Sequence, residues 1–226
     1  MFGLRNAEKA PGRSTVQRCG CIETHRTKRI VLTGGPGGGK TAVLELIRLH
    51  FCQHVRVLPE AASIIFGGGF PRGRTAGLSQ AAQRAIYYVQ RELEAAGDID
   101  GPAVVICDRG TLDGAAYWVG PGDLWTSVGT TREQQLRRYD AVIHLRSPNL
   151  ENGYNHSNPL RIESAQDAKK IDDQIEKVWE GHPRRFIVDA SSDFLEKAHR
   201  ALEILRAEVP ECCRTARTLT VVNGGR

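Results

Sequence analysis

The most constraining feature of this sequence is a glycine-rich stretch that runs from Gly34 to Thr41 and reads GGPGGGKT. It follows the apolar run RIVLT at 29–33 and precedes a segment with helical spacing of apolar residues at 42–51. The order is therefore strand, turn, helix. The spacing from the first glycine to the lysine and threonine matches a phosphate-binding loop (P-loop) in full. We therefore predict a site for nucleotide phosphates at this turn.

The residue types of the loop suit this chemistry. Glycines let successive N–H groups turn inward around a phosphate chain, and a helix that starts at the loop adds its positive N-terminal dipole. We expect Lys40 to contact the β- and γ-phosphates and the Thr41 hydroxyl to bind Mg²⁺. The alternative is a flexible glycine loop that happens to end in Lys-Thr. The expected nucleotide-binding residues are Gly34, Gly35, Pro36, Gly37, Gly38, Gly39, Lys40, Thr41 and Ala42.

The length and composition are those of an ordinary globular protein. The chain has 226 residues, of which 40% are hydrophobic and 25% charged, which suits one α/β domain with tails. No apolar run approaches the roughly 18 residues that a membrane span needs. We therefore expect a soluble, cytoplasmic protein without a transmembrane segment.

The formal net charge of +5 is concentrated near the N-terminus. Residues 1–29 carry seven Lys or Arg and only two acids, Glu8 and Glu23, which leaves the rest of the chain neutral. Specific nucleic-acid binding is not expected, because it calls for a basic face on the domain itself. The basic tail could instead bind an anionic membrane or an acidic partner, or it could be a solvated leader.

The six cysteines include two pairs near the chain ends, Cys19 with Cys21 and Cys212 with Cys213. The two pairs could together form a metal site that bridges the tails. Neither pair has the two-residue spacer of zinc motifs, and we identify no clustered histidine that would complete a site. We therefore do not predict a structural metal here.

Five apolar segments alternate with helical patterns along the chain. The expected strands are 29–33, 54–58, 102–107, 141–145 and 185–188. Such alternation implies right-handed crossovers, so we predict an α/β three-layer sandwich with a five-stranded parallel sheet covered by helices on both faces. Ligands in such sheets lie beyond the carboxyl ends of the strands.

The same pattern predicts domain boundaries and helix starts. We expect a flexible tail at 1–28, the P-loop domain at 29–209 and a flexible tail at 210–226. Within the domain, the loss of any apolar period indicates a lid at about 146–163. The expected helix caps are Ser79, Thr131 in a capping box with Gln134, Ser164, and Ser192.

Two strand ends carry carboxylates. Asp108 follows an apolar strand, where P-loop proteins keep a carboxylate for Mg²⁺, and Arg109 beside it could hold a phosphate in a bidentate contact. Glu60 ends the second strand and could accept the hydroxyl proton of an acceptor or orient a water. The alternatives are a surface Asp-Arg turn and, for Glu60, an acid that only favours a helix N-terminus.

Two less regular segments could complete the site. Segment 67–77 is rich in glycine and contains Arg72 and Arg74, which suits either a substrate flap or an exposed loop. Arg161, in the predicted lid, could neutralise charge on a transferring phosphoryl group, or it could be an ordinary solvated arginine. Arg146 is the second choice for the same role.

These motifs together resemble one family. They are the P-loop at 34–41, Pro59-Glu60-Ala61, Asp108-Arg109-Gly110, YDAVIHL at 139–145, Arg161-Ile-Glu163, Asp172-Asp173, WEGHP at 179–183 and VDASSD at 188–193. They resemble the AAA-like P-loop group that pairs the nicotinamide riboside kinase domain with the TRPL translocation defect protein, over roughly 29–205. More distantly, the layout is similar to thymidylate kinase and the deoxynucleoside kinases.

The resemblance implies a P-loop kinase fold that binds Mg²⁺ and a nucleotide, with the nucleotide base near Ala190 and Ser191. We hypothesise a phosphotransferase that passes the γ-phosphoryl of ATP, or of GTP, to a hydroxyl of a small nucleoside-like acceptor. The competing hypothesis is a slowly hydrolysing nucleotide switch that binds a protein or anionic lipid. For the first, the expected catalytic residues are Lys40, Glu60, Asp108, Arg109 and Arg161, and the expected metal ligands are Thr41 and Asp108.

Overall fold

Five parallel strands form the centre of the fold, as predicted. They are β1 (Lys28–Thr33), β2 (Val55–Leu58), β3 (Val104–Asp108), β4 (Ala141–Leu145) and β5 (Arg185–Val188). Their order in the sheet is β2-β3-β1-β4-β5, and every neighbouring pair runs parallel. The computed structural model describes residues 21–73, 75–147, 165–190 and 193–214.

Helices cover both faces of this sheet. They are α1 (Lys40–His50), α2 (Ala61–Gly67), α3 (Ala76–Gly97), α4 (Leu124–Ser127), α5 (Arg132–Leu136), α6 (Ala165–Val178), α7 (Phe194–Glu208) and α8 (Glu211–Arg214), with a 3-10 helix at Asp113–Tyr117. In the described ranges, no helix combines the length and the apolar character that crossing a membrane requires. Helix α2 was not predicted from the sequence.

Alternate residues of each strand face two separate cores. In β1, Ile30 and Leu32 pack among residues of α1 and α7, whereas Val31 packs on the other face against Trp179. All three β1 side chains are almost completely buried. This double burial explains why the strands are continuous apolar runs rather than alternating ones.

The register of the sheet decides which residues meet at its carboxyl edge. Leu32 pairs with Asp108 of β3, and Thr33 pairs with His144 of β4. The glycine loop that follows β1 therefore lies between the ends of β3 and β4. This places the phosphate loop next to the Asp-Arg pair, as the sequence predicted.

The predicted start of the long helix is wrong. Helix α3 begins at Ala76, and its N-cap is Thr75, whose hydroxyl oxygen accepts a bond from the Leu78 N–H. Threonine is itself a competent cap. Ser79 lies in the first turn and instead donates its hydroxyl to the Tyr117 carbonyl, 3.0 Å away.

The other capping predictions have mixed outcomes. The capping box of Thr131 with Gln134 is confirmed at the start of α5. Helix α7 is capped by Asp193, one residue after the Ser192 that was predicted, because the aspartate accepts the Leu195 N–H at 2.8 Å. Ser164 lies outside the described residues.

The structure describes parts of both segments that were predicted as tails. Strand β1 already begins at Lys28, and the Thr27 hydroxyl donates to the Pro102 carbonyl at 2.7 Å. At the other end, a short helix, α8, occupies part of the predicted C-terminal tail. Most of the basic tail and of the predicted lid lies outside the described residues, so their roles stay predictions.

A buried carboxylate ties α3 to the start of β4. Glu94 has no exposed surface, and its Oε1 accepts bonds from the Tyr139 hydroxyl at 2.7 Å and from Gln90 Nε2 at 3.0 Å. Its other oxygen is paired with Arg138. Removing one partner from such a buried pair leaves the other charge uncompensated, which is costly.

We predict that Glu94→Ala lowers the free energy of unfolding by about 3–5 kcal/mol, because Arg138 and Tyr139 lose their buried acceptor. Urea unfolding followed by circular dichroism measures the change. The matched control is Glu92→Ala, an exposed position on the same helix, which should stay within about 0.5 kcal/mol of wild type. Equal losses in the two variants would contradict the assignment.

Candidate active site

The P-loop has the backbone that its glycines predict. Gly34, Gly37 and Gly39 have φ angles of 127°, 82° and 87°, a region that other L-residues rarely adopt. Glycine is also needed because there is no room for a side chain at two positions of the loop. A Cβ built on Gly34 would lie 2.1 Å from the Leu145 carbonyl oxygen, and one on Gly38 would lie 2.6 Å from the same atom. The loop is thus pressed against the end of β4.

Asp172, from α6, holds the first turn of this loop. Its Oδ1 accepts the Gly35 N–H at 2.6 Å and lies 2.9 Å from Nε2 of buried His144, while its Oδ2 accepts the Ser147 N–H at 3.2 Å. Burial alone would raise the pKa of Asp172, but His144 and the two backbone N–H groups lower it to about 2. Asp172 is therefore an anionic anchor for the loop. In the sequence it belongs to the family motif Asp172-Asp173, which indicates no role for it.

Lys40 begins α1 and is buried under the loop. Its ammonium group donates to the carbonyls of Gly34 and Gly35, both at 2.8 Å. Burial, and after it the positive charge of Arg109, lowers the pKa of Lys40 to about 7, although nearby carboxylates oppose this. Gly39, the N-cap, supplies no side-chain cap, so the first-turn amides keep the partial positive charge of a helix N-terminus.

Arg109 is fixed between the P-loop and the end of β2. Its Nε donates to Glu60 Oε1 at 2.7 Å, and one terminal nitrogen donates to the Gly34 carbonyl at 3.2 Å. Its own φ of 70° is unusual for a residue with a side chain. Burial would lower the pKa of Arg109, but the surrounding Tyr117, Glu60 and Asp113 raise it. The guanidinium is permanently charged and held in one position.

Asp113 organises the turn after β3 and was missed by the sequence analysis. Its Oδ2 accepts the Gly110 N–H at 2.9 Å and Trp179 Nε1 at 3.1 Å. Its Oδ1 accepts the hydroxyl of Thr33 and lies 3.4 Å from Arg109. A carboxylate four residues after an arginine is a weak signal, since many surface turns contain one. Only the fold shows that four partners converge on it.

The two predicted carboxylates differ in electrostatic environment. Burial, followed by the charge of Glu60, raises the pKa of Asp108 to about 6. Burial would also raise the pKa of Glu60, but Arg109 and a hydrogen bond from Ser63 lower it overall. At neutral pH Glu60 is fully ionised, whereas Asp108 lies close to its titration range.

A cavity of about 600 Å³ joins these residues. It extends from the P-loop to helices α2 and α3 and contacts the turn after β3. Seven of the predicted site residues line it: Pro36, Gly37, Lys40, Thr41, Glu60, Asp108 and Arg109. The hydroxyl of Thr41 and the carboxylate of Asp108 are oxygen ligands of the kind that Mg²⁺ prefers, so the residues present fit a magnesium–phosphate group.

Most of the remaining candidates either do not line the cavity or lie outside the described residues. Arg146 is held by carboxylates of α6, among them Asp173 at 3.2 Å. Ala190 is partly buried after β5. Arg161 and Ser191 lie outside the described residues, so their roles stay predictions. Arg72, from the predicted flap, does line the cavity, and its guanidinium lies 4.3 Å from the centre of the Phe66 ring.

A protein-family comparison agrees with this geometry. The model described as an AAA domain matches residues 29–197, which include the whole described site. The chain belongs to this AAA domain family. The match confirms the P-loop family predicted from the sequence motifs. None of the curated proteins compared with the chain matches it significantly.

Solved structures show the same fold. Thymidylate kinase from Candida albicans is 16% identical, with a TM-score of 0.56 over 80% of this chain and 92% of that chain. A NadR protein in complex with NR is 14% identical, with a TM-score of 0.57 over 81% of this chain and 52% of that chain. Thymidylate kinase from Ehrlichia chaffeensis is 13% identical, with a TM-score of 0.51 over 80% and 99%. The AAA domain therefore has a P-loop kinase-like fold and spans about half of the NadR chain.

We predict that Gly110→Ala destabilises the AAA domain by about 1–3 kcal/mol, because its Cβ would overpack the site. That atom would lie 2.7 Å from the Trp179 ring and 3.0 Å from Val31. The control is Gly77→Ala in the first turn of α3, where a Cβ meets nothing within 4 Å. The control should be neutral or stabilising by up to about 1 kcal/mol. Thermal unfolding compares the two, and a stable Gly110→Ala protein would contradict the packing argument.

Proposed function

We propose that the AAA domain is a Mg²⁺-dependent phosphotransferase that passes the γ-phosphoryl of ATP to a hydroxyl of a small nucleoside-like acceptor. The observation that carries the proposal is the cavity beside the P-loop. A protein that only holds a nucleotide needs the loop, Lys40, Thr41 and a metal carboxylate. The cavity adds space for a second molecule between these residues and α3, which is what a transfer reaction requires.

The size and lining of the cavity suit a nucleoside-like acceptor. Its volume of about 600 Å³ lies within the usual range for small-molecule sites. Phe66 and Tyr87 provide aromatic surface, and Gln83 and Gln90 of α3 provide amide groups that can both donate and accept hydrogen bonds. Planar heterocycles with polar edges are recognised by this combination of surfaces.

The charged residues can then take separate roles. Lys40 would contact the phosphates, and the Mg²⁺ would be held by Thr41 and Asp108, where it would neutralise phosphate charge. Arg109, which is fixed by Glu60, would contact the transferring group. The acceptor hydroxyl oxygen attacks the γ-phosphorus as the bond to the β-phosphate oxygen breaks, and Glu60 accepts the hydroxyl proton.

The ionised state of Glu60 agrees with this last role. A carboxylate with a lowered pKa is a weak base, but phosphoryl transfer asks mainly for orientation, since its transition state is largely dissociative. Oε2 of Glu60 already accepts a bond from Ser63 at 2.5 Å, and Oε1 accepts from Arg109. Both contacts fix the carboxylate for an acceptor that enters from the cavity.

We expect Glu60→Gln to lower kcat by about 10²-fold or more, within the range for loss of a general base. ATP-dependent phosphorylation of a panel of nucleosides and pyridine ribosides, followed by mass spectrometry, measures the reaction. Glu45→Gln, an exposed glutamate on α1, is the matched control and should retain wild-type turnover. A Glu60→Gln enzyme with unchanged kcat would refute the assigned base. Nucleotide hydrolysis without any acceptor product would favour the switch hypothesis instead.

We also expect nucleotide binding at pH 8 to take up close to one proton. Free Lys40 has a pKa of about 7 and is mostly neutral at that pH, whereas phosphates beside it raise the pKa and make it cationic. Affinity should therefore fall as the pH rises above 7. Isothermal titration in buffers of different ionisation enthalpy measures the uptake directly.

Lys40→Met is the control for this measurement and should bind nucleotide weakly without proton uptake near pH 8. The same variant should lose the nucleotide-dependent rise in Tm, which for the wild type corresponds to about 2.7 kcal/mol at a hundredfold excess over Kd. Binding without net proton exchange in the wild type at pH 8 would contradict the lowered pKa of Lys40.

A further inference from the structure

Four metal-ligating side chains converge at the end of the sheet opposite the cavity. Cys21 Sγ lies 3.4 Å from His25 Nε2, and Cys212 Sγ lies 3.3 Å from the same nitrogen. One ligand atom each from Cys21, His25 and His54 lies within 4.8 Å of the other two. The ring centres of the two histidines are 5.5 Å apart. These residues come from three segments that are distant in the sequence.

We propose that these four side chains bind a structural zinc ion in a Cys₂His₂ site. Two thiolates and two imidazoles form one of the standard ligand sets of closed, four-coordinate zinc sites. The four residues are partly buried. A metal ion can therefore enter from solvent and lose its bound water when the four side chains coordinate it. The structure has both cysteines as thiols rather than in a disulfide.

The sheet register explains why the ligands meet. Lys28 of β1 and Val55 of β2 both pair with Val104, on opposite sides of β3. His25 precedes Lys28 by three residues, and His54 immediately precedes Val55. The Thr27 hydroxyl and the His54 carbonyl are each tied by hydrogen bonds to the segment at 102–104. The backbone that carries both histidines is therefore fixed by the central sheet.

Cys212 joins the cluster from the C-terminal part of the described chain. It lies in α8, directly after α7, and packs against the core that α1 and α7 share. The backbone of the preceding helix is connected to β1, because Lys28 Nζ donates to the Glu208 carbonyl at 3.0 Å. The position of this thiol beside His25 is therefore supported by contacts independent of the cluster.

The distances suit a tetrahedral ion. Zinc bound at about 2.3 Å to sulfur and about 2.0–2.1 Å to nitrogen separates a sulfur and a nitrogen ligand by about 3.6 Å. The two observed sulfur–nitrogen separations, 3.4 and 3.3 Å, lie close to this value. His54 adds a ring nitrogen within 4.8 Å of the Cys21 and His25 ligand atoms.

Hydrogen bonding alone accounts less well for the cluster. A neutral imidazole nitrogen carries either one proton or one lone pair, so it forms one good hydrogen bond, not two. Here two thiol sulfurs approach a single Nε2. A cation placed among the sulfurs and the nitrogen satisfies both thiolates and the ring at once, and binding releases the thiol protons.

This site is structural rather than catalytic. It lies at the amino ends of parallel strands, whereas the P-loop and Asp108 lie at the carboxyl ends. All four coordination positions are filled by the protein, which leaves none for substrate. The ion would join the segment around Cys21, the start of β2 and α8 into one cross-linked unit.

The test is the zinc content of the full-length protein, purified under reducing conditions without added metal. We expect about one zinc per chain by plasma mass spectrometry. Two double variants, Cys21→Ser with Cys212→Ser and His25→Gln with His54→Gln, should each lose the metal about tenfold. His199→Gln, an exposed histidine on α7 that pairs with Glu203, is the matched control and should keep it.

Cobalt provides a readout that reports the ligands themselves. Chelator-treated wild type reconstituted with Co²⁺ should show thiolate-to-cobalt charge transfer and the strong visible bands of tetrahedral cobalt. The cysteine double variant should lose the charge-transfer band. If that variant fails to fold, Cys212→His keeps a ligand at this position and should retain zinc with a weaker charge-transfer band.

Three results would overturn the proposal. They are zinc content unchanged in both double variants, wild type that binds neither zinc nor tetrahedral cobalt, and a Cys21–Cys212 disulfide in protein alkylated before oxidation can occur. Because none of these measurements uses nucleotide or acceptor, their failure is separate from any failure of the phosphotransferase proposal.

Discussion

Burial of several charges in one small space is the constraint on which the candidate site depends. Two buried cations, Lys40 and Arg109, and three carboxylates line the same cavity, and isolated charges at such burial would each cost several kcal/mol. Mutual neutralisation removes most of this cost but leaves Lys40 and Asp108 with pKa values of about 7 and 6. Two groups are thus poised to change protonation state when a polyanion and a cation arrive, while Arg109 and Glu60 keep their charges.

The sequence predicted the parts of the structure that local pattern determines. Five apolar runs gave the parallel sheet, because strands buried on both faces cannot alternate in polarity. The glycine spacing gave the P-loop, since both the positive φ angles and the contact with Leu145 exclude other residues. Boundaries were less accurate. Thr75 and Ser79 are both competent caps, and the hydrogen bond that occupies the Ser79 hydroxyl, to the Tyr117 carbonyl, comes from a distant segment that local pattern does not reveal.

The residues that sequence analysis missed act through tertiary contacts. Asp113 and Asp172 have neighbours that distinguish them from surface acids only after β1, β4 and α6 are assembled. The histidines beside the cysteines were overlooked for a similar reason. His54 is 29 positions from His25 in the sequence, and β3 alone brings their strands together. Spacing rules for zinc motifs assume ligands from one or two short segments. They therefore do not detect a site whose ligands come from three segments that are distant in the sequence.

The contact between Lys28 and Glu208 suggests a circular permutation of this protein. The chain enters the sheet and leaves α7 at the same place, on the side away from the cavity. A short linker between the segments around Cys21 and Cys212 could therefore close the backbone into a ring. New ends could then be opened in a surface turn, such as the one near Gly129. Such a change would leave the candidate site in place, because the cavity and the Lys28–Glu208 contact lie at opposite ends of the strands.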